Sequence, residues 1–115
     1  MRQLAFGAAL AAIAAALAVP GLAPAATRNS TLIATDGPGF TITMNKTTVK
    51  AGTYTIVVHD KSNIHNFHLT GPGVNKLTST PWIGTKTWTV NLKKGVYRFV
   101  CDPHASTMKG VLRVT

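Results

Sequence analysis

From residue 31 to the end of the chain, apolar and polar residues alternate in short runs broken by glycine and proline, with no run spaced like one face of a helix. Thr31-Leu32-Ile33-Ala34-Thr35 is the first run, and Asp36-Gly37-Pro38-Gly39 closes it as a turn. Phe40, Ile42 and Met44 then alternate with Thr41, Thr43 and Asn45, the period of a strand with one buried face. Lys50-Ala51-Gly52 turns the chain into Tyr54-Thr55-Ile56-Val57-Val58, a β-branched and aromatic run. His65 to Leu69 predicts another strand, stopped by Thr70-Gly71-Pro72-Gly73, and residues 74–84 hold at most one short turn of helix. Trp88, Val90 and Leu92 alternate with Thr87, Thr89 and Asn91. Lys93-Lys94-Gly95 then leads into Val96 to Cys101, with Tyr97, Phe99 and Cys101 on one face. Val111 to Thr115 supplies the last strand. Short strands parted by such turns predict an all-β fold, a Greek-key β-sandwich of about seven to eight strands.

The first residues follow a different pattern. Met1-Arg2-Gln3 is a short positive start, Leu4 to Val19 is an uncharged run rich in Ala and Leu, and Pro20-Gly21 breaks it. Ala23-Pro24-Ala25 then offers small residues at the spacing of a cleavage site, which predicts a secretory signal peptide over residues 1–25 and a single domain over residues 26–115. An uncleaved membrane anchor is the rival reading. The apolar run is short for a span, which takes about 20 strongly apolar residues. Either way the domain is expected outside the cytoplasm: periplasmic, extracellular or associated with the cell envelope.

Charge narrows the partners. The chain carries 12 Lys and Arg against 3 acidic residues, for a formal net charge of +9. The acids are Asp36, Asp60 and Asp102, and there is no Glu. Such a balance favours acidic partners or an anionic envelope surface. Nucleic acid is a poor candidate, because the basic residues stand singly, no nucleic-acid motif occurs, and the chain is expected to be exported.

One segment carries concentrated chemistry. Cys101-Asp102-Pro103-His104-Ala105-Ser106-Thr107-Met108 holds the single cysteine of the chain beside an imidazole and a thioether. One cysteine excludes an internal disulfide, and a spare thiol is a liability in an oxidising compartment. A bound metal removes that conflict, and a thiolate–imidazole–thioether set is soft, selecting copper over hard cations. Zinc in a Cys-His site is the other chemical possibility. Cys101 ends an alternating strand and so points inward, while His104 and Met108 follow in the loop. A fourth ligand has to come from His59, His65 or His68.

These residues resemble the cupredoxins, the small blue copper proteins such as plastocyanin, pseudoazurin and amicyanin. Gly95-Val96-Tyr97-Arg98-Phe99-Val100-Cys101-Asp102-Pro103-His104 is similar to the family's G-x-Y-x-F-x-C-x-P-H segment, and Met108-Lys109-Gly110 to its M-x-G continuation. His65-Asn66 resembles the pair that supplies the first histidine ligand and an asparagine bracing the cysteine loop. The resemblance implies that His65, Cys101 and His104 form a trigonal copper plane with Met108 as a weak axial ligand. The spacing of His104 and Met108 falls between those of plastocyanin and amicyanin. His59 and His68 are then surface or hydrogen-bonding residues. The implied function is transfer of single electrons between redox donor and acceptor proteins by one copper ion in a monomer; the alternative is a copper buffer or carrier. No second copper centre or open coordination position is evident, so an enzyme is not expected. An apolar docking patch is expected around His104, drawn from Ile64, Pro72, Val74, Pro103 and Ala105.

Overall fold

The alternation in the sequence becomes alternation in burial. In β4 (Gly52–Asp60), Tyr54, Ile56, Val58 and Asp60 are buried while Thr53, Thr55, Val57 and His59 face outward. The structure, a computed structural model, describes residues 30–115, so the leader expected over residues 1–25 lies outside the described residues. Among those described, no helix is long and apolar enough to cross a membrane.

Among the described residues, nine strands form two sheets. One sheet has the order β2 (Ile42–Met44), β1 (Ser30–Asp36), β4, β7 (Gly84–Leu92). The other runs β3 (Thr48–Val49), β9 (Lys109–Val114), β8 (Gly95–Val100), β5 (His68–Gly71), β6 (Val74–Leu77). Both sheets are mixed: β1 pairs parallel with β4, and β3 parallel with β9, while the remaining ladders are antiparallel. The all-β expectation holds. The strand number exceeds the seven to eight expected because β3 and β6 are too short to show a period. The strand expected over His65 to Leu69 begins only at His68. Residues 65–67 form an irregular crossing, in which Thr78 accepts from and donates to the Phe67 backbone instead of a sheet neighbour.

Leu32, Ala34, Ile56, Val58, Phe67, Leu69, Tyr97, Phe99 and Leu112 fill the space between the sheets. Burying a side chain of the Leu or Phe class contributes about 1.5–3 kcal/mol. Phe67 stacks on Phe99 at 5.7 Å between ring centroids. Tyr97 is fully buried, yet its hydroxyl donates to the Pro72 carbonyl (2.7 Å) and accepts from the Lys93 N–H (2.9 Å), so no polar group is stranded there.

Strand directions define two ends. β1, β4 and β8 all run toward one end, where residues 37–41, 61–67, 78–83 and 101–108 connect the strands. The hairpin at Pro72-Gly73 and the turn at Lys93-Lys94 lie at the opposite end. All residues singled out as metal ligands belong to the first end.

Gly110, where β9 passes the ring of Phe99, tests the packing. A Cβ there would overlap the Phe99 ring, which is itself buried. Gly110→Ala should therefore destabilise the domain by about 1–3 kcal/mol, the usual cost of overpacking, measured as a shift in the denaturant midpoint with an unchanged slope.

Candidate metal centre

Two chain segments meet at this end. The first is the link from β8 to β9. Cys101 continues the inward face of Tyr97 and Phe99 and is fully buried. Its N–H donates to the Met108 carbonyl (3.0 Å), which closes residues 101–108 into a clip. Inside the clip Asp102–His104 makes a single 3₁₀ turn, with Pro103 near its start where a missing N–H costs nothing. The His104 N–H donates to the Cys101 carbonyl (3.0 Å), and the Met108 N–H to the His104 carbonyl (2.8 Å). His104 is thereby fixed on the rim, half-buried, and Met108 is folded inward with 1% exposure.

The second segment is the crossing over residues 61–67, where His65 is fully buried. His65 Nδ1 lies 3.1 Å from His104 Nδ1 and 3.7 Å from Cys101 Sγ, and His104 Nδ1 is 3.5 Å from that sulfur. The three ligand atoms all fall within 4.8 Å of one another. The donor chemistry of this cluster suits a metal. Neutral imidazole offers one lone pair, a thiolate offers several, and a shared soft cation satisfies all three donors at once. Among the described residues this is the one such grouping of His, Cys, Asp or Glu ligand atoms, and Met108 is the buried thioether on the same clip.

Of the other histidines, His59 sits on the outer face of β4 with Nδ1 3.1 Å from Thr85 Oγ1. His68 bridges Asp102 (Nδ1 to Oδ1, 2.9 Å) and Asn75 (Nε2 to Oδ1, 2.7 Å). Both have the hydrogen-bonding roles expected of them. Asn66 ties the two segments: its Oδ1 accepts from the Asp102 N–H (2.7 Å) and its Nδ2 donates to Asp102 Oδ2 (2.8 Å) and to the Thr78 carbonyl (3.3 Å).

Two features escaped the sequence reading. Phe40 was expected to share a buried face with Ile42 and Met44. It is instead 62% exposed, with its ring in T-shaped contact with both His65 and His104 at 5.0 Å between centroids. The turn at residues 36–39 carries Phe40 past the sheet end, two residues before β2 begins, so strand periodicity does not reach it. The expected apolar patch also changes membership. Ile64, Pro103 and Ala105 are exposed at the ligand end, whereas Pro72 and Val74 belong to the far hairpin, with Val74 buried. Phe40, Leu77 and Ile83 are the exposed large apolar residues that the ligand end adds.

The His68–Asp102 pair carries a pH signature. Burial works against both charges but is outweighed. Hydrogen bonds to Asp102 and Asn75 and the Asp102 charge raise the His68 pKa, and hydrogen bonds from Asn66 and His68 with the His68 charge lower that of Asp102. Stability from His68 is fully present below its unfolded value of 6.5 and disappears as pH rises through the higher folded value. Stability from Asp102 is present above 3.8 and is lost as pH falls through the lowered folded value. His68→Gln should thus cost up to about 1 kcal/mol between these limits, since the pair is partly exposed, and little in alkali; denaturant melts across pH measure the difference.

Comparison with known proteins agrees with the geometry. The sequence matches the copper binding proteins of the plastocyanin/azurin family over residues 29–115. No curated protein sequence gives a significant match. Among solved structures the fold is similar to reduced rusticyanin determined by NMR, with a TM-score of 0.56 at 20% identity, covering 74% of this chain and 76% of that one. It is also similar to reduced auracyanin from the photosynthetic bacterium Roseiflexus castenholzii, with a TM-score of 0.52 at 20% identity, covering 76% and 97% of the two chains. A family match spanning the whole described sandwich, and a soft donor cluster suited to one type 1 copper ion at its end, place this chain in the plastocyanin/azurin family of copper-binding cupredoxins.

Proposed function

We propose that the protein is an electron carrier in which His65, Cys101, His104 and Met108 would hold one copper ion. The observation that supports this most directly is the convergence of two Nδ1 atoms and one Sγ within 4.8 Å at the end of a rigid sandwich. Copper supplies one-electron chemistry by alternating between Cu(I) and Cu(II). The chain's part is to keep the donors still. Cys101 and Met108 are fixed by the 101–108 clip, and His65 by its neighbours in the crossing, so little rearrangement accompanies a change of charge. His104 is the half-buried ligand, and Phe40, Ile64, Ile83, Pro103 and Ala105 are among the exposed apolar residues beside it or at its end of the fold. A partner docking on this rim excludes water from the route to His104. No second reactive centre is needed for this role, so the protein is read as a carrier rather than an enzyme, working outside the cytoplasm as a monomer.

Ligand substitutions test the assignment. Cys101→Ser should abolish the intense visible band of the copper-loaded protein, because a hydroxyl is a harder and far less acidic ligand. His65→Ala should do nearly the same, whereas His59→Ala should leave the band in place. Met108→Leu should keep the colour and raise the reduction potential, since a weak sulfur donor to the oxidised ion is withdrawn; Met108→Gln should lower it. An unchanged potential in both Met108 variants would remove that residue from the ligand set.

Charge should set the rate of encounter. Lys61 and Lys109 are exposed at the ligand end of a strongly basic chain, which favours an acidic docking surface. Lys61→Gln with Lys109→Gln should slow electron transfer to an acidic partner at low salt. Added salt should slow the unmodified protein similarly, screening falling to about 8 Å at physiological ionic strength. Stopped-flow rates against ionic strength check both, and a flat profile would assign the positive charge to another purpose, such as an envelope surface.

A further inference from the structure

Two of the three acidic side chains in this basic chain are fully buried against each other. Asp36 ends β1 and Asp60 ends β4, and they are direct partners in the parallel ladder. No salt bridge to Lys or Arg compensates either one among the described residues. Burying carboxyl groups without a cation is costly, and an apolar pair would ordinarily serve stability better.

The hydrogen bonds show what the pair holds. Asp60 Oδ1 accepts from the Ser62 N–H (3.3 Å), and Asp60 Oδ2 from the Thr78 hydroxyl (2.8 Å). Ser62 in turn accepts at Oγ from the Ile64 N–H (3.3 Å) and at its carbonyl from the His65 N–H (3.4 Å). Thr78 Oγ1 accepts from the Phe67 N–H (2.9 Å), and the Thr78 carbonyl accepts from Asn66 Nδ2 (3.3 Å). The hydrogen bonds of Ser62 on one side of His65 and of the Thr78 hydroxyl on the other therefore meet at one carboxylate. Neither carboxyl oxygen of Asp36 has a hydrogen-bond donor within reach, and its ladder neighbour is the Asp60 carboxyl.

We propose that Asp60 is the positioning residue for His65, gripping the segment from Ser62 to Phe67 on both sides, and that a protonated Asp36 donates to Asp60 and lets it stay buried as a single carboxylate. The proposal rests on the reading of His65 as a copper ligand. Burial, and the hydrogen bond and charge of Asp60, push the Asp36 pKa up to about 7, the direction a shared proton requires. The groups that meet the pair are the Ser62 N–H and the Thr78 hydroxyl, both on Asp60; Lys61 is exposed, and the ladder partners Ile42 and Gly84 do not titrate.

Amide hydrogen exchange on the metal-free full chain reads the anchor without copper. Asp60→Asn should speed exchange at Ser62, Ile64 and Phe67 by about tenfold relative to the β8–β9 amides, as expected for losing one charged hydrogen-bond acceptor. Asp36→Asn should preserve protection, because its amide N–H replaces the shared proton. Thr78→Val should release Phe67 alone, and it serves as the test if Asp60→Asn does not fold. In the copper-loaded protein Asp60→Asn should change the position or intensity ratio of the visible bands. Stability from the protonated Asp36 is complete below 3.8 and is lost as pH rises toward about 7, so the wild-type pH slope in that window should flatten in Asp36→Asn. Exchange in a folded Asp60→Asn within about twofold of wild type would overturn the proposal, as would an Asp36→Asn variant that loosens the segment. Unchanged visible bands in Asp60→Asn would overturn it too, while leaving the electron-carrier reading intact. A wild type that takes up no coloured copper would defeat that reading and leave the exchange result to judge the anchor.

Discussion

Asn66 makes two hydrogen bonds to one residue of the opposite segment, accepting the Asp102 N–H and donating to its carboxylate. That tie joins the two halves of the ligand end directly, because the donors come from parts of the chain 36 residues apart. A sandwich core fixes strands well and their connecting loops poorly. Here the loop of the cysteine and the crossing of the buried histidine are joined to each other directly, and the tie continues through Asp102 to His68 on β5 and through Thr78 to Asp60 on β4. Both sheets thus contribute to one polar network surrounding an otherwise apolar interior.

That arrangement explains why a small domain can keep three donor atoms so close without neutralising them. Mutual approach of two imidazoles and a thiol is unfavourable unless the backbone enforces it or a cation rewards it. The Cys101–Met108 backbone bond and the 3₁₀ turn enforce it on one side, and the Ser62 and Thr78 contacts on the other. The ring of Phe40 then packs T-shaped against both imidazoles.

Much of this was legible in the amino-acid order, and the rest was not for identifiable reasons. Alternation at Tyr97, Phe99 and Cys101 set both the strand and the inward cysteine, because local periodicity and burial agree there. His65, His104 and Asn66 were legible through motif spacing. Phe40 was misread because a turn displaced it from the strand whose period it continues. Pro72 and Val74 were placed at the wrong end, since nearness in sequence to His65 does not reveal that β5 carries the chain the length of the sheet before the hairpin. Asp36 and Asp60 are legible in the sequence only as charge, because a single sequence does not show that two strands distant in order run parallel and in register.

The direction of the outer strands has a practical meaning. β1 enters at Ser30 and β9 leaves at Val114, and both of these residues lie at the end remote from the ligands. A tether, fusion partner or solid support joined at either end of the domain therefore leaves the ligand rim facing outward. The fold is polarised like a plug: the attachment is made at the base, and the contact is presented at the tip.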